Sequence, residues 1–281
     1  MTQREKAELL LRLQQPGSSL LLPNAWDAVS ARLFETAGFQ AIGTTSAGIA
    51  YAHGYVDGEH IEPALMFQTI ARIASSVRVP VTADIEAGYG PSPDDVAASV
   101  ERAIAAGAAG VNLEDNTQNP ASPLYTLDAQ VERIIAARAA AERAGLHLVI
   151  NARTDTYLAG VGEGQAQLDE TIRRGKAYLG AGADSIFVPG VVDATIIEAL
   201  VRDIPGPINI LAIPGSLPAP ELFRLGVVRV SIGDCAMQAT MGLVAKIAEE
   251  LRDQGTYDTM SRYFCGFAEA GALFAASVTQ S

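Results

Sequence analysis

Cysteine, histidine and aromatic residues are scarce in this chain: 2 Cys, 3 His and 1 Trp in 281 residues, with an aromatic share of 6%. Cys235 and Cys265 lie far apart and in no metal-type spacing, which excludes a thiolate metal site and a disulfide framework. Long apolar runs are missing as well. None reaches the roughly 18 to 20 residues that a membrane-spanning helix needs, and Arg4, Glu5, Lys6 and Glu8 interrupt the first turns where a signal peptide would be apolar. Basic residues are outnumbered, 20 Lys and Arg against 32 Asp and Glu, and the resulting net charge of −12 opposes a phosphate backbone. Nucleic acid and membrane are therefore excluded as partners, and a reducing cytoplasm is the expected compartment.

What is present is a hydrophobic share of 49%, rich in Ala and Gly, which suits close packing of helices on strands. Leu9, Leu10 and Leu13 place a helix before Pro16-Gly17. Short apolar runs then alternate with helical segments: Leu20 to Leu22, Ala41 to Thr44, Val79 to Ile85, Gly110 to Leu113, Leu146 to Ala152, Ser185 to Val188, Ile208 to Ala212 and Val227 to Ile232. Helices predicted over Asp94 to Ala106, Leu127 to Ala144, Gln165 to Leu179 and Ala194 to Val201 fall between them. The joints Ala37-Gly38, Ala106-Gly107, Ala144-Gly145, Ala181-Gly182 and Leu225-Gly226 read as helix stops, and Ser92-Pro93-Asp94-Asp95 as a helix start. Eight βα units close most economically into a (β/α)8 TIM-type barrel, with an open doubly wound sheet as the alternative. The chain reads as one α/β-barrel domain over 1–281, with an N-terminal helix in 1–17, the barrel in 18–255 and a helical extension in 256–281. The barrel does not need that extension for closure, and its apolar face (Phe264, Phe267, Leu273, Phe274) is expected to pack on a neighbouring subunit.

Function in such barrels collects at the carboxyl ends of the strands. The stretch 81–90 is a strand that delivers Asp84 and Glu86, two residues apart and on one face with Thr82, into a glycine-rich loop. Asn112, Glu114 and Asp115 leave the next strand, Asn151 and Arg153 the one after, then Asn209, Ser231 and Gly233. Two acids at a strand exit can hold a hard cation through oxygen, directly or through water. A solvated acidic loop, or an ion-pair network around Arg153, is the competing explanation.

Pro23-Asn24-Ala25-Trp26-Asp27-Ala28, Gly43-Thr44-Thr45-Ser46, residues 84–90, residues 110–115 and Asn151-Ala152-Arg153-Thr154-Asp155 together resemble the isocitrate lyase/phosphoenolpyruvate mutase superfamily, over roughly residues 18 to 255. The resemblance implies Mg²⁺ (or Mn²⁺) bound directly by Asp84, with Asp57, Glu86 and Glu114 holding its waters. It implies a substrate-carboxylate cradle at Thr45, Ser46 and Ala47, and Arg153 on the substrate oxyanion. Substrate binding is expected of Asp84 and Asn209 as well, and catalytic roles of Arg153, Asp57 and Glu114. It also implies a dimer or tetramer assembled by swapping the C-terminal helix.

The lyase branches carry a Lys-Lys-Cys-Gly-His type of motif after the acid matching Glu114, whereas residues 115–125 hold no cysteine, lysine or histidine. That points to a metal-dependent lyase acting on a small α-keto (or α-hydroxy) dicarboxylate through a stabilised enolate, with oxaloacetate decarboxylation as the concrete expectation. The alternatives are phosphonopyruvate hydrolysis or mutase-type P–C chemistry, 2-methylisocitrate cleavage, and a keto-acid-binding barrel without turnover. Cys235 could substitute for the missing acid/base or simply pack, and His53 and His60 could belong to a lid or to a solvated loop. Gly160-Val161-Gly162-Glu163-Gly164 weakly echoes a dinucleotide fingerprint but reads as a flexible βα loop.

Overall fold

Short runs of buried residues set between amphipathic helices leave the chain one economical solution, a parallel sheet rolled into a ring with helices outside. The computed structural model, which describes residues 1–278, has this form. Its strands are β1 (Leu20–Leu22), β2 (Asn24–Ala25), β3 (Ile42–Thr44), β4 (Val81–Asp84), β5 (Gly110–Glu114), β6 (Val149–Arg153), β7 (Ser185–Val188), β8 (Ile208–Leu211) and β9 (Arg229–Ser231). Every pairing is parallel, in the order β1-β9-β8-β7-β6-β5-β4-β3-β2. The eight expected strands become nine because Pro23, which has no N–H to donate, interrupts the first: β1 pairs with β9 and β2 with β3, so the ring closes through Pro23.

The helices are α1 (Gln3–Arg12), α2 (Ala28–Thr36), α3 (Ser46–Ala52), α4 (Pro63–Ser76), α5 (Pro93–Ala105), α6 (Leu127–Arg143), α7 (Gly164–Gly180), α8 (Ala194–Asp203), α9 (Ala219–Arg224), α10 (Cys235–Asp253), α11 (Asp258–Tyr263) and α12 (Phe267–Val278). The start of α5 is as read: the Ser92 side chain caps Asp95 N–H, the Asp95 carboxylate returns the bond, and Pro93 opens the helix. The five small-residue stops all place their glycine at positive φ, between 68° and 106°. α1 lies across the amino-terminal end of the barrel. Leu10 reaches Gly110 at the start of β5 so closely that a Cβ there would sit 2.9 Å from it, and Gln3 Nε2 donates to the Ala108 carbonyl at 2.8 Å.

The C-terminal helices depart from this economy. No residue of α10 is buried, and Met241, Val244, Tyr257, Tyr263 and Phe264 are exposed, with Phe267 at 93%. The tail also touches its own barrel, since Arg32 Nε donates to the Leu273 carbonyl at 2.8 Å. The last three residues of the expected 256–281 extension lie outside the described residues. Among the described residues no helix is long and apolar enough to cross a membrane.

Candidate active site at the barrel mouth

The carboxyl ends of the strands surround a cavity of ≈ 190 Å³ lined by Asn24, Thr45, Ser46, Asp57, Asp84, Asn112 and Arg153 on its polar side. Leu158, Phe187, Pro189 and Leu211 form an apolar wall in the same cavity. A second hollow of ≈ 200 Å³ adjoins it and adds Glu114, Asn116, Gln118 and Asp155.

Asp84 ends β4 and is 8% exposed. One oxygen, Oδ2, accepts from the Ser46 backbone N–H at 3.1 Å and the Ser46 hydroxyl at 3.0 Å. The other, Oδ1, is buried with no hydrogen-bond partner among the described residues. A buried carboxylate oxygen without a partner is costly, and a cation offsets that cost. Glu86 lies just beyond the strand in a left-handed conformation (φ 52°), as does Tyr89 (φ 57°), an arrangement that costs on the order of 1–3 kcal/mol per residue. The loop is held there by its surroundings. Glu86 accepts from the Glu59 N–H and, at 3.1 Å, from the Tyr89 hydroxyl, while Arg133 donates to the carbonyls of Ala87, Gly90 and Pro91.

Arg153 answers part of the competing ion-pair explanation. Its Nη1 lies 2.8 Å from Glu114, and its Nε and Nη2 grip Asp155 at 2.6 and 2.9 Å. Glu114 is therefore paired, but no basic side chain reaches Asp57, Asp84 or Glu86 within ion-pair distance among the described residues. Burial, then the charges of Asp57 and Asp84, push the Glu86 carboxyl up to about 8. Asp57, itself an exposed residue on its loop, is raised by loss of hydration around its carboxyl and then by Asp84. Burial raises Glu114 against the opposing charge of Arg153. Burial also works against the Arg153 charge, but Glu114 and Asp155 outweigh it and hold the guanidinium above its usual range.

The residues fit a divalent ion. Among the described residues no three His, Cys, Asp or Glu side chains converge as a ligand set, and the feature at this mouth that a cation would satisfy is the unpartnered buried oxygen of Asp84. Asp57, Glu86 and Glu114 are each close enough for the Asp84 charge to raise their carboxyls. The acids make a prediction for the protein stripped of divalent ions. The Glu86 value lies above its ordinary 4.5, so the folded state holds more protons than the unfolded one between pH 4.5 and about 8. Stability should fall as pH rises through that window, by several degrees in thermal midpoint, and Mg²⁺ should restore more at pH 8 than at pH 5.5 because binding needs carboxylates. A midpoint that climbs from pH 5 to 8 in EDTA would contradict this assignment.

Two parts of the expected site, the cradle and Asn209, have engagements within the fold. The cradle at Thr45 to Ala47 lines the cavity, but the Ser46 N–H is taken by Asp84, Thr45 N–H by the Ala25 carbonyl and Gly48 N–H by the Thr45 hydroxyl. Asn209 is fully buried beneath the cavity; its amide bonds Asn151, Ser231 and the Arg229 carbonyl. It is part of the barrel's filling because it is the second residue of β8, below the exit. Cys235 opens α10 half-buried and is absent from the cavity lining, and His53 bonds Thr69 on the exposed side. The 160–164 stretch is the loop between β6 and α7.

Other positions at the mouth have no role assigned by the sequence alone. Phe187 and Leu211 look like any strand residue, and only closure of the ring turns them inward. Asp155, visible in the Asn-Ala-Arg-Thr-Asp motif, is the bidentate partner of Arg153. Asn24 bridges the split strand to the mouth, accepting from Ile232 and Gly233 N–H at 3.0 Å each.

Such a mouth is that of an α/β-barrel enzyme. Within that class the chain belongs to the phosphoenolpyruvate phosphomutase family, whose model matches residues 10–252, and hence to the isocitrate lyase/phosphoenolpyruvate mutase superfamily of lyases and mutases. An uncharacterized protein of Mycobacterium tuberculosis (strain H37Rv) is 35% identical over 241 residues, 86% of this chain and 88% of its own length. The crystal structure of a provisionally assigned lyase/mutase from Burkholderia cenocepacia J2315 superposes with a TM-score of 0.91 at 37% identity, covering 97% of this chain and 96% of that one. A phosphonopyruvate hydrolase in complex with oxalate and Mg²⁺ superposes with a TM-score of 0.84 at 27% identity, covering 100% and 97%. Curated relatives at about this distance divide among phosphonopyruvate hydrolase, oxaloacetate decarboxylase and 2-methylisocitrate lyase, so family membership alone leaves the reaction open.

Proposed function

We propose that the protein is a divalent-metal-dependent lyase that decarboxylates oxaloacetate or a closely similar 2-keto dicarboxylate. The observation that carries this reading is the asymmetry of the cavity. Its volume of ≈ 190 Å³ suits a small acid, and one side is Asp84, Asp57, Ser46 and Asn112 while the other is Leu158, Phe187, Pro189 and Leu211. Among the described residues that line it, the one basic side chain is Arg153, already paired with two carboxylates. A phosphonate dianion would find little counter-charge there. A carboxylate leaving as CO₂ loses its charge in the transition state, and an apolar wall penalises the charged reactant more than the neutral product.

Asp84 would hold the ion directly, with Asp57, Glu86 and Glu114 through water, and a relative's complex with oxalate and Mg²⁺ supports the use of a divalent ion. When bound, Mg²⁺ (or Mn²⁺) supplies a Lewis acid that draws charge from the 2-keto oxygen. The remaining work belongs to the chain. Breaking the bond to the departing carboxylate leaves an electron pair that delocalises onto the keto oxygen as an enolate, and the N–H groups of Arg153 not engaged by Glu114 and Asp155 supply fixed positive charge toward it. The 116–125 loop offers no side chain with a pKa near neutrality, so water protonates the enolate carbon.

Initial rates on oxaloacetate, phosphonopyruvate and 2-methylisocitrate, with and without Mg²⁺ and corrected for the metal's own background, test the reading. Pyruvate from oxaloacetate, little change in Cys235→Ser and silence on the other two are expected. Succinate released from 2-methylisocitrate, or phosphate from phosphonopyruvate, with no turnover of oxaloacetate would overturn it.

We also propose that a second copy of the chain covers the exposed apolar surface of α10 to α12, giving a dimer or a tetramer by helix exchange. So many exposed large apolar side chains on successive helices are characteristic of association sites. The free cysteines, Cys235 and Cys265, agree with a cytoplasmic setting. Sedimentation at micromolar concentration should show no monomer; a stable monomer would sink the proposal.

A further inference from the structure

Directly under the cavity the barrel is filled with amides and one charge. Asn112, Asn151 and Asn209 form a chain of side-chain hydrogen bonds across β5, β6 and β8, with Asn151 Nδ2 donating to Asn112 Oδ1 at 2.8 Å and to Asn209 Oδ1 at 2.9 Å. Ser185 fixes the other end of Asn151, donating to its Oδ1 at 2.6 Å. Arg229, fully buried at the start of β9, donates Nη2 to Asn112 Oδ1 at 3.1 Å and Nη1 to Gln14 Oε1 at 3.2 Å. No carboxylate pairs with it among the described residues, and its Nε has no partner. A bare guanidinium at this depth is expensive, and a hydrophobic side chain of its size would pack the space at lower cost.

Its effect on Asn112 is specific. A guanidinium has donors only, so the atom of Asn112 that faces it must be the oxygen. Two donors, Arg229 and the register neighbour Asn151, therefore fix the amide with Oδ1 turned to them. Its Nδ2 is left to the cavity that Asn112 lines, and no acceptor among the described residues takes it. Asn112 is also the register partner of Asp84, whose Oδ1 is likewise without a partner. The floor of the cavity thus carries an unpartnered buried acceptor beside an unpartnered donor, which matches a ligand set made of a cation and an anionic oxygen next to it. Were the amide reversed, Asn112 would present a second oxygen beside Asp84 and compete to bind the cation rather than the anion.

We propose that Asn112 is a substrate-binding donor to a carboxylate or enolate oxygen, and that Arg229 is the positioning residue that turns its amide toward the ligand. The inference rests on the site described under the proposed function, but not on which reaction occurs there.

The test is binding of Mg²⁺ alone and of oxalate at saturating Mg²⁺, by titration calorimetry, to wild type, Asn112→Ala, Arg229→Met, Arg229→Lys and the Asn112→Ala/Arg229→Met pair. Arg229→Met removes a charge without orphaning a partner charge, so the fold should persist, and a circular dichroism melt checks it. Asn112→Ala should weaken oxalate about tenfold, on the order expected for a hydrogen bond to a charged group. Arg229→Met should weaken oxalate comparably while Mg²⁺ affinity holds or rises, because the freed amide can now turn its oxygen to the cation. Arg229→Lys, still a donor, should recover much of the loss, and the double variant should bind oxalate no more weakly than Asn112→Ala. Wild-type oxalate affinity in Asn112→Ala overturns the donor role. Losses that multiply in the double variant, or Mg²⁺ and oxalate affinities that fall together in Arg229→Met, overturn the positioning role. A wild type that binds oxalate yet leaves oxaloacetate intact removes the decarboxylase reading and leaves this one standing.

Discussion

Asp84→Ala should lower metal-dependent turnover by roughly 10³-fold, since a Lewis acid contributes several kcal/mol and each 1.36 kcal/mol is tenfold in rate. The fold should survive. Asp84 is bonded on one oxygen to Ser46 alone and carries an unpartnered buried oxygen on the other, so truncation removes an unfavourable group along with two hydrogen bonds. The decisive measurement is the thermal midpoint with and without Mg²⁺. Wild type should gain stability from the ion by mass action, and the variant should gain none. Asp84→Asn, which keeps the shape and one acceptor, should resemble alanine in turnover. If Asp84→Ala retained the full Mg²⁺-induced stabilisation, the direct-ligand assignment would be wrong.

Arg153→Met is expected to be severe in two separable ways. Removing the guanidinium leaves Glu114 and Asp155 as buried carboxylates without their cation, and breaking a buried pair in this way costs about 3–5 kcal/mol. It also removes the one basic side chain of the cavity lining, and loss of such a preorganised charge lowers turnover about 10²- to 10³-fold. Lysine should not rescue either property, because one ammonium cannot reproduce the fork that bonds Asp155 through Nε and Nη2 and Glu114 through Nη1. Adding Asp155→Asn to Arg153→Met should recover part of the stability and none of the turnover, while Mg²⁺ binding changes less than turnover in both. Near wild-type rates in Arg153→Lys would remove Arg153 from the chemistry and leave it a structural ion pair.

The contrast between these two residues shows where sequence reading has its limits. Asp84 and Arg153 both stand out as polar residues ending apolar strands, and period-two alternation puts each on the inner face. Nothing in the pattern says that Arg153 takes Glu114 and Asp155 and leaves Asp84 without a cation, because pairing depends on which strands the ring makes neighbours. Arg133 and Arg174 make the same point from the helices. On helices they look like solvated charges, yet they are buried, Arg133 on the carbonyls of the 87–91 loop and Arg174 on Asp115 and Tyr178. Arg229 has no sequence signal at all.

What the chain determined by itself is the series of βα units, their caps, and the acids and amides at the strand exits, since these follow from local periodicity and from residues whose backbone preferences act over a few positions. The tertiary structure decided the splitting of the first strand at Pro23, the descent of Asn209 below the cavity, the occupation of the Ser46 N–H by Asp84, and the apolar wall of Leu158, Phe187, Pro189 and Leu211. Each of these joins residues far apart in the chain through ring closure and strand register, and a one-dimensional pattern carries the face of a residue but not its neighbours across the barrel.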